Sequence, residues 1–161
     1  MIQKLILFLH GLPKEFVTVF IAMLPVAELR GSIPVALGSG MKPWSAFWWS
    51  ILGNIIPVAP VLLLLGPLSK WLRHFKIFDR LFTWLFARTS KNSKVIQKYG
   101  FWGLVIFVGI PLPGTGAWTG CAAAFLLQIK FWRAFFAILL GVLIAGGIVI
   151  SASLGFIKIF L

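Results

Sequence analysis

The chain has 161 residues, 60% of them hydrophobic, 16% aromatic and only 11% charged, with a mean hydropathy of +1.02 and a net charge of +12. That balance excludes a water-soluble globular domain and defines an all-α integral membrane protein. A single cysteine, Cys121, excludes an internal disulfide framework, and with two separated histidines it makes no metal-ligand set, so neither metal nor cofactor is expected.

In chain order, the opening MIQKLILFLHGLPKE has a basic residue and an apolar run but lacks a small-residue cleavage site before Pro13. It reads as a retained, short interfacial helix and not as a signal peptide. The apolar stretch Phe16 to Ala27 follows, about 18 Å long as a helix at ~1.5 Å per residue, which is half of a hydrocarbon core ~30 Å thick. It meets the polar, proline-bearing ELRGSIP (28 to 34), then a short apolar piece, Val35 to Met41. Residues 44 to 65 are uncharged and exceed the roughly 20 residues that cross a bilayer. Within them Asn54, Pro57 and Pro60 predict a kinked span whose amide faces the protein interior.

Eight of the fifteen basic residues lie between Lys70 and Lys98, directly after that span, which is the positive-inside signature of a cytoplasmic loop in the cell membrane. Trp71, Phe75, Phe78, Phe82 and Leu85 recur at helical spacing while Lys70, Arg73, Lys76 and Arg80 take the other face. The pattern predicts an amphipathic helix on the anionic inner leaflet, so the partners of this charge are membrane lipids and not nucleic acid. Phe101 to Ile110, about 15 Å as a helix, is again too short to span. PLPGTGAWTG (111 to 120) then breaks the chain, before a short apolar piece, Ala117 to Leu127, and a long span at 131 to 157. In that last span Gly147, Ser151 and Gly155 recur every four residues, a stripe suited to internal packing or to self-association as a homo-oligomer.

MKPWSAFWWSILGN (41 to 54) superposes without a gap on IKFWRAFFAILLGV (129 to 142), and with a short insertion LRGS (29 to 32) falls on LPGT (112 to 115). The chain therefore divides into a first repeat at 15 to 66, a basic connector at 67 to 98 and a second repeat at 99 to 160. Two arrangements fit. Each pair of short pieces is either a re-entrant helical hairpin or one interrupted span. With hairpins, ten basic residues lie inside and four outside, with Arg30 in the membrane; with four spans the division is eleven to three, so charge does not choose. Hairpins are favoured because glycine and proline at mid-depth need a protein-lined or watery cavity to satisfy the freed backbone groups. Each half then crosses once, the two copies enter from opposite faces, and the result is an inverted repeat with its two loops near the midplane.

Glu28 and Arg30 in the first loop are charges at a depth where charge is expensive. As a structural pin they form a buried ion pair. As functional groups, Glu28 exchanges a proton during a transport cycle while Arg30 presents its planar fork to an anionic group. Gly31, Ser32 and Pro34 complete that loop. The second loop brings Pro111, Pro113, Gly114, Thr115, Gly116, Trp118 and Thr119, with hydroxyl, indole and backbone donors aimed at the same substrate. No nucleophile and base pair is present, so an enzyme is not expected.

ELRGSIP and PLPGTGAWTG resemble the paired motifs of the small multidrug export proteins of bacteria and archaea, over nearly the whole chain. That family is more distantly similar to the DedA and VTT-domain membrane proteins, which include polyprenyl-phosphate flippases and lipid scramblases. By that resemblance Glu28 and Arg30 correspond to the acidic and basic residues of the first hairpin. The second hairpin departs from it, because DedA proteins usually carry arginines where this chain has PLPGTG. The resemblance implies a secondary, proton-coupled transporter of a small amphipathic compound or a lipid phosphate. The alternatives are a DedA-like lipid flippase and a non-transporting membrane scaffold.

Overall fold

The computed structural model describes residues 13–72, 80, 83, 98–112 and 114–160. The stretch expected to form an interfacial N-terminal helix, most of the basic connector expected to be amphipathic, and Pro113 lie outside the described residues. Among the described residues every regular element is α-helical: α1 (Lys14–Met23), α2 (Glu28–Gly38), α3 (Pro43–Ile55), α4 (Val58–Leu72), α5 (Lys98–Gly109), α6 (Ala117–Leu126) and α7 (Phe131–Phe160). The expected spans are recovered as Pro43–Leu65 and Phe131–Phe156, the first interrupted at Ile56 and Pro57. Large apolar side chains stand exposed on almost every helix, among them Phe16, Phe20, Leu63, Ile106 and Ile148, as lipid-facing surfaces require. Trp44, Trp102 and Trp132 are each more than 60% exposed, in keeping with interfacial tryptophans.

The chain forms two compact units, one running to Asn54 and resuming at Gly146, the other Ile55–Ala145. In the first, α1 begins after Pro13, which has no N–H to leave unsatisfied, and carries Glu15 in its first turn where the helix dipole favours an anion. It ends because Pro25 follows: a residue before proline is pushed out of the helical region, and Leu24 is extended at ψ 133°. The chain then folds back. Lys14 Nζ donates to the Ser39 carbonyl, joining the start of α1 to the end of α2, and a Cβ on Gly31 would stand 3.6 Å from Ile21. Thus α1 and α2 form an antiparallel helical hairpin.

Here the expectation for ELRGSIP needs correction. It is not an irregular loop but the first two turns of α2, and the break lies earlier, at Leu24 to Ala27. Pro25, not Pro34, is the breaker. Pro34 is exposed within α2, where it removes only the hydrogen bond to the Arg30 carbonyl.

α2 closes with Gly40 at φ 78°, the Gly40 N–H donating to the Leu37 carbonyl and the Met41 N–H to the Ala36 carbonyl. This is a Schellman ending, which needs the left-handed conformation that glycine adopts without cost. Ala36, Met41 and Ala46 pack together across the turn into α3. α3 lies on α1 through Gly53, where an added Cβ would meet the Val19 carbonyl oxygen at 2.4 Å, and Phe47 and Ile51 of α3 close on Gly146 of α7.

In the second unit α5 and α6 are joined by residues 110 to 116, and α4 packs on α6, the Cys121 thiol reaching the Val58 carbonyl at 3.9 Å. Val108 of α5 sits in a hole made by two glycines, 2.6 Å from where a Cβ on Gly120 or on Gly141 would be. Element ends recur 88 residues apart, Gly38 with Leu126 and Pro43 with Phe131. The turn recurs as well: Gln128 has φ 52°, with the Gln128 N–H on the Phe125 carbonyl and the Ile129 N–H on the Ala124 carbonyl. The ungapped pairing of 41 to 54 with 129 to 142 matches this spacing. The pairing of LRGS with LPGT does not, because LRGS is helical whereas Leu112, Gly114 and Thr115 lie before α6.

Of the small-residue stripe on α7, Gly147 and Gly155 have nothing within 4 Å of an added Cβ, so the stripe is not used for packing among the described residues.

Candidate functional site

Of the twelve residues singled out from sequence, five belong to α2 and the first unit. Glu28 opens the helix at φ 47°, a left-handed conformation that a non-glycine residue holds at about 1–2 kcal/mol. Its N–H donates to the Leu24 carbonyl at 3.0 Å, and its side chain is only 9% exposed. A strained, buried carboxylate at the apex of a helical hairpin is the kind of outlier that points to function. Ser32, one turn on, is fully buried, whereas Arg30 and Gly31 are half-buried and Pro34 is exposed. Glu28, Leu29, Ser32, Ile33 and Ala36 thus make the buried face of α2.

The other residues belong to the second unit, where the structure gives the threonines a local task. The Thr115 hydroxyl lies 2.6 Å from the Ile110 carbonyl and 2.9 Å from that of Leu112, and it accepts the Leu112 N–H at 3.1 Å. The Thr115 N–H also returns to the Leu112 carbonyl at 3.0 Å. Thr119 donates to the Gly116 carbonyl at 3.2 Å. These hydroxyls tie the loop together, and Gly114 at φ 92° and Gly116 at φ 151° supply its turns. Ala117 starts α6 as expected. Trp118 with Ala117 and Cys121 lines a narrow crevice against Pro57, Val58 and Val61. A second groove of about 400 Å³ lies by the 127 to 130 turn, lined by Leu62, Phe125, Gln128 and Phe131 among others.

Sequence reasoning missed one feature. On α3, Ser50 and Asn54 are 0% and 1% exposed, and like Ser32 at 0% their side-chain oxygens, with the Asn54 amide nitrogen, have no hydrogen-bond partner. Asn54 was expected to face inward and does, but as an unsatisfied amide. The signal for Ser50 was its place one helical turn before Asn54 in an otherwise apolar span.

Two helices long and apolar enough to cross a bilayer, one pair of short helices folded back on each other, and a buried carboxylate where that pair turns fit a helical membrane protein. The family described as putative small multi-drug export protein matches residues 28–148, and the chain belongs to that family. No curated protein and no solved structure matches it.

Proposed function

We propose that this protein is a secondary transporter of the cell membrane, coupled to ion movement through Glu28, that exports a small amphipathic compound or moves a lipid phosphate. The observation that carries the reading is Glu28 itself: a nine-tenths-buried carboxylate held in a strained conformation where α1 turns into α2. A purely structural hairpin would place glycine or asparagine there without strain. A carboxylate that takes up and releases a proton couples an ion gradient to a change in the hairpin. Arg30, two residues on, supplies a cation for an anionic substrate group.

The hairpins are re-entrant in this reading, and the two halves form an inverted repeat with the 67 to 98 connector in the cytoplasm. Support comes from helix lengths of 10 and 11 residues in the first hairpin, about 15–17 Å each, which reach only halfway through a bilayer. Self-association runs along the unpacked Gly147, Ser151 and Gly155 face of α7.

The test compares wild type, Glu28→Gln and Arg30→Ala at equal membrane levels, by ethidium efflux from cells and by translocation of a fluorescent polyprenyl phosphate in proteoliposomes. Glu28→Gln should lower turnover at least about tenfold while the protein still folds, and Arg30→Ala should affect the lipid-phosphate assay more. A scaffold would move neither compound. If both variants merely lower thermal stability and leave transport intact, the two charges are a structural pin and the proposal falls.

A further inference from the structure

The three unsatisfied polar side chains of the first unit are the least explained feature of the molecule. An unpaired buried polar group costs about 1–3 kcal/mol, and Ser32, Ser50 and Asn54 carry four such atoms between them. The architecture does not require them. At the positions 88 residues on, the second unit has Gly120, Ile138 and Val142, and there Ile138 and Val142 are packed at 0% and 1% exposure.

The second unit also shows how these positions meet. A Cβ on Gly120 would stand 3.4 Å from Ile138 Cγ1, so α6 and α7 face each other at this level. Their counterparts 88 residues earlier are Ser32 and Ser50. Counting from the turn agrees: Ala36 and Ala46 share one cluster, and one helical turn outward from each lies Ser32 on α2 and Ser50 on α3. A further turn outward lie Glu28 and Asn54. By this count the two hydroxyls, neither of which has a hydrogen-bond partner, fall at one level of the pair, and the Asn54 amide and the Glu28 carboxyl fall at the next.

We infer that Ser32, Ser50 and Asn54, with Glu28 as counter-charge, form a binding site for a dehydrated monovalent alkali cation, sodium by preference. The chemistry selects this ligand. The three side chains are at most 1% exposed, so they are not open to an organic group at the surface of the unit. Hydroxyl, amide and carboxylate oxygens are hard ligands, suited to hard cations and not to soft metals. One carboxylate balances one positive charge, and among the described residues no three His, Cys, Asp or Glu side chains gather to hold a divalent ion. An anion is disfavoured by Glu28 on the same buried face of α2. The other charges on the packed elements are few. Arg30 stands two residues on from Glu28 in α2, Lys14 and Glu15 at the far end of α1 and Lys158 in the last turn of α7, and α3 bears no charge.

The inference rests on the transport reading in giving Glu28 an alkali cation that exchanges with its proton, but binding is measurable without transport, so the two fail separately. Thermal unfolding of the full-length protein in detergent is followed while NaCl replaces choline chloride at constant ionic strength. The melting temperature should rise with sodium and saturate, as a ligand of the folded state demands. Potassium should act more weakly. Ser50→Ala, a helix-compatible change, should shift the sodium midpoint upward at least about tenfold. Direct binding of ²²Na⁺ to the wild type needs no variant and should be saturable and displaced by unlabelled NaCl. Equal stabilisation by choline, absence of saturable ²²Na⁺ binding, or an unchanged midpoint in Ser50→Ala each overturns the site. Loss of efflux in Glu28→Gln without any sodium effect leaves the transporter standing and removes only this inference.

Discussion

The close approach of α1 and α3 at Gly53 makes a quantitative prediction. An alanine there would bring its Cβ to 2.4 Å from the Val19 carbonyl oxygen, 2.8 Å from the Val19 Cα and 2.8 Å from the Ala22 Cβ. Two of these atoms belong to the backbone, so no side-chain rotation relieves the clash and the helices must separate. Overpacking of this kind costs about 1–3 kcal/mol, and here the upper part of that range applies. Against it stands the helix propensity of alanine, worth about 1 kcal/mol over glycine. Gly53→Ala should therefore lose about 1–2 kcal/mol net. Gly147→Ala supplies the control: with nothing within 4 Å of its new methyl group, only the propensity gain of about 1 kcal/mol remains. The two variants should thus differ by about 2–3 kcal/mol in equilibrium unfolding followed by tryptophan fluorescence in mixed micelles. Equal stability of Gly53→Ala and Gly147→Ala would refute the packing described for α1 and α3.

Other consequences are open to the same methods. Gly141→Ala should also destabilise, but adding Val108→Ala should restore part of the loss, because its two closest conflicts are with the Val108 side chain at 2.6 and 2.9 Å. Thr115→Val should cost about 1–3 kcal/mol, since it strips the loop of a hydroxyl that serves Ile110 and Leu112, and it should raise amide exchange at the Leu112 N–H. If the open stripe of α7 is a contact between copies, Ser151→Cys in a Cys121→Ala background should form a disulfide-linked dimer in native membranes under mild oxidation. A monomer under those conditions would remove that face from consideration.

Much of the fold was legible because spans and short helices differ in length. Residues 44 to 65 and 131 to 157 declared themselves by uninterrupted apolarity, and the half-length of Phe101 to Ile110 foretold a short helix. The second loop was legible from Gly114 and Gly116, whose positive φ angles no other residue adopts easily. The first was misread because ELRGSIP looks like PLPGTGAWTG in composition. Its proline sits inside α2 on an exposed face, and Pro25, hidden in the apolar run LPVA, ends α1 instead. Glu28 stood out as a charge in an apolar chain. Ser50 did not, because a serine in a span usually bonds back to the carbonyl four residues earlier, as Ser151 and Ser153 do here. Only the coordinates reveal that Ser50 lacks such a bond.

The central claim is that the α1 and α2 hairpin enters and leaves the membrane on one side. Single cysteines at Lys14 and Ser39, and at Lys98 and Gln128, are placed in the Cys121→Ala background and labelled with a membrane-impermeant maleimide in right-side-out and inverted vesicles. Positions 14 and 39 should label from the same face, and positions 98 and 128 together from the opposite, cytoplasmic face. Labelling of 14 and 39 from opposite faces would mean that this segment spans the bilayer, and would contradict the account.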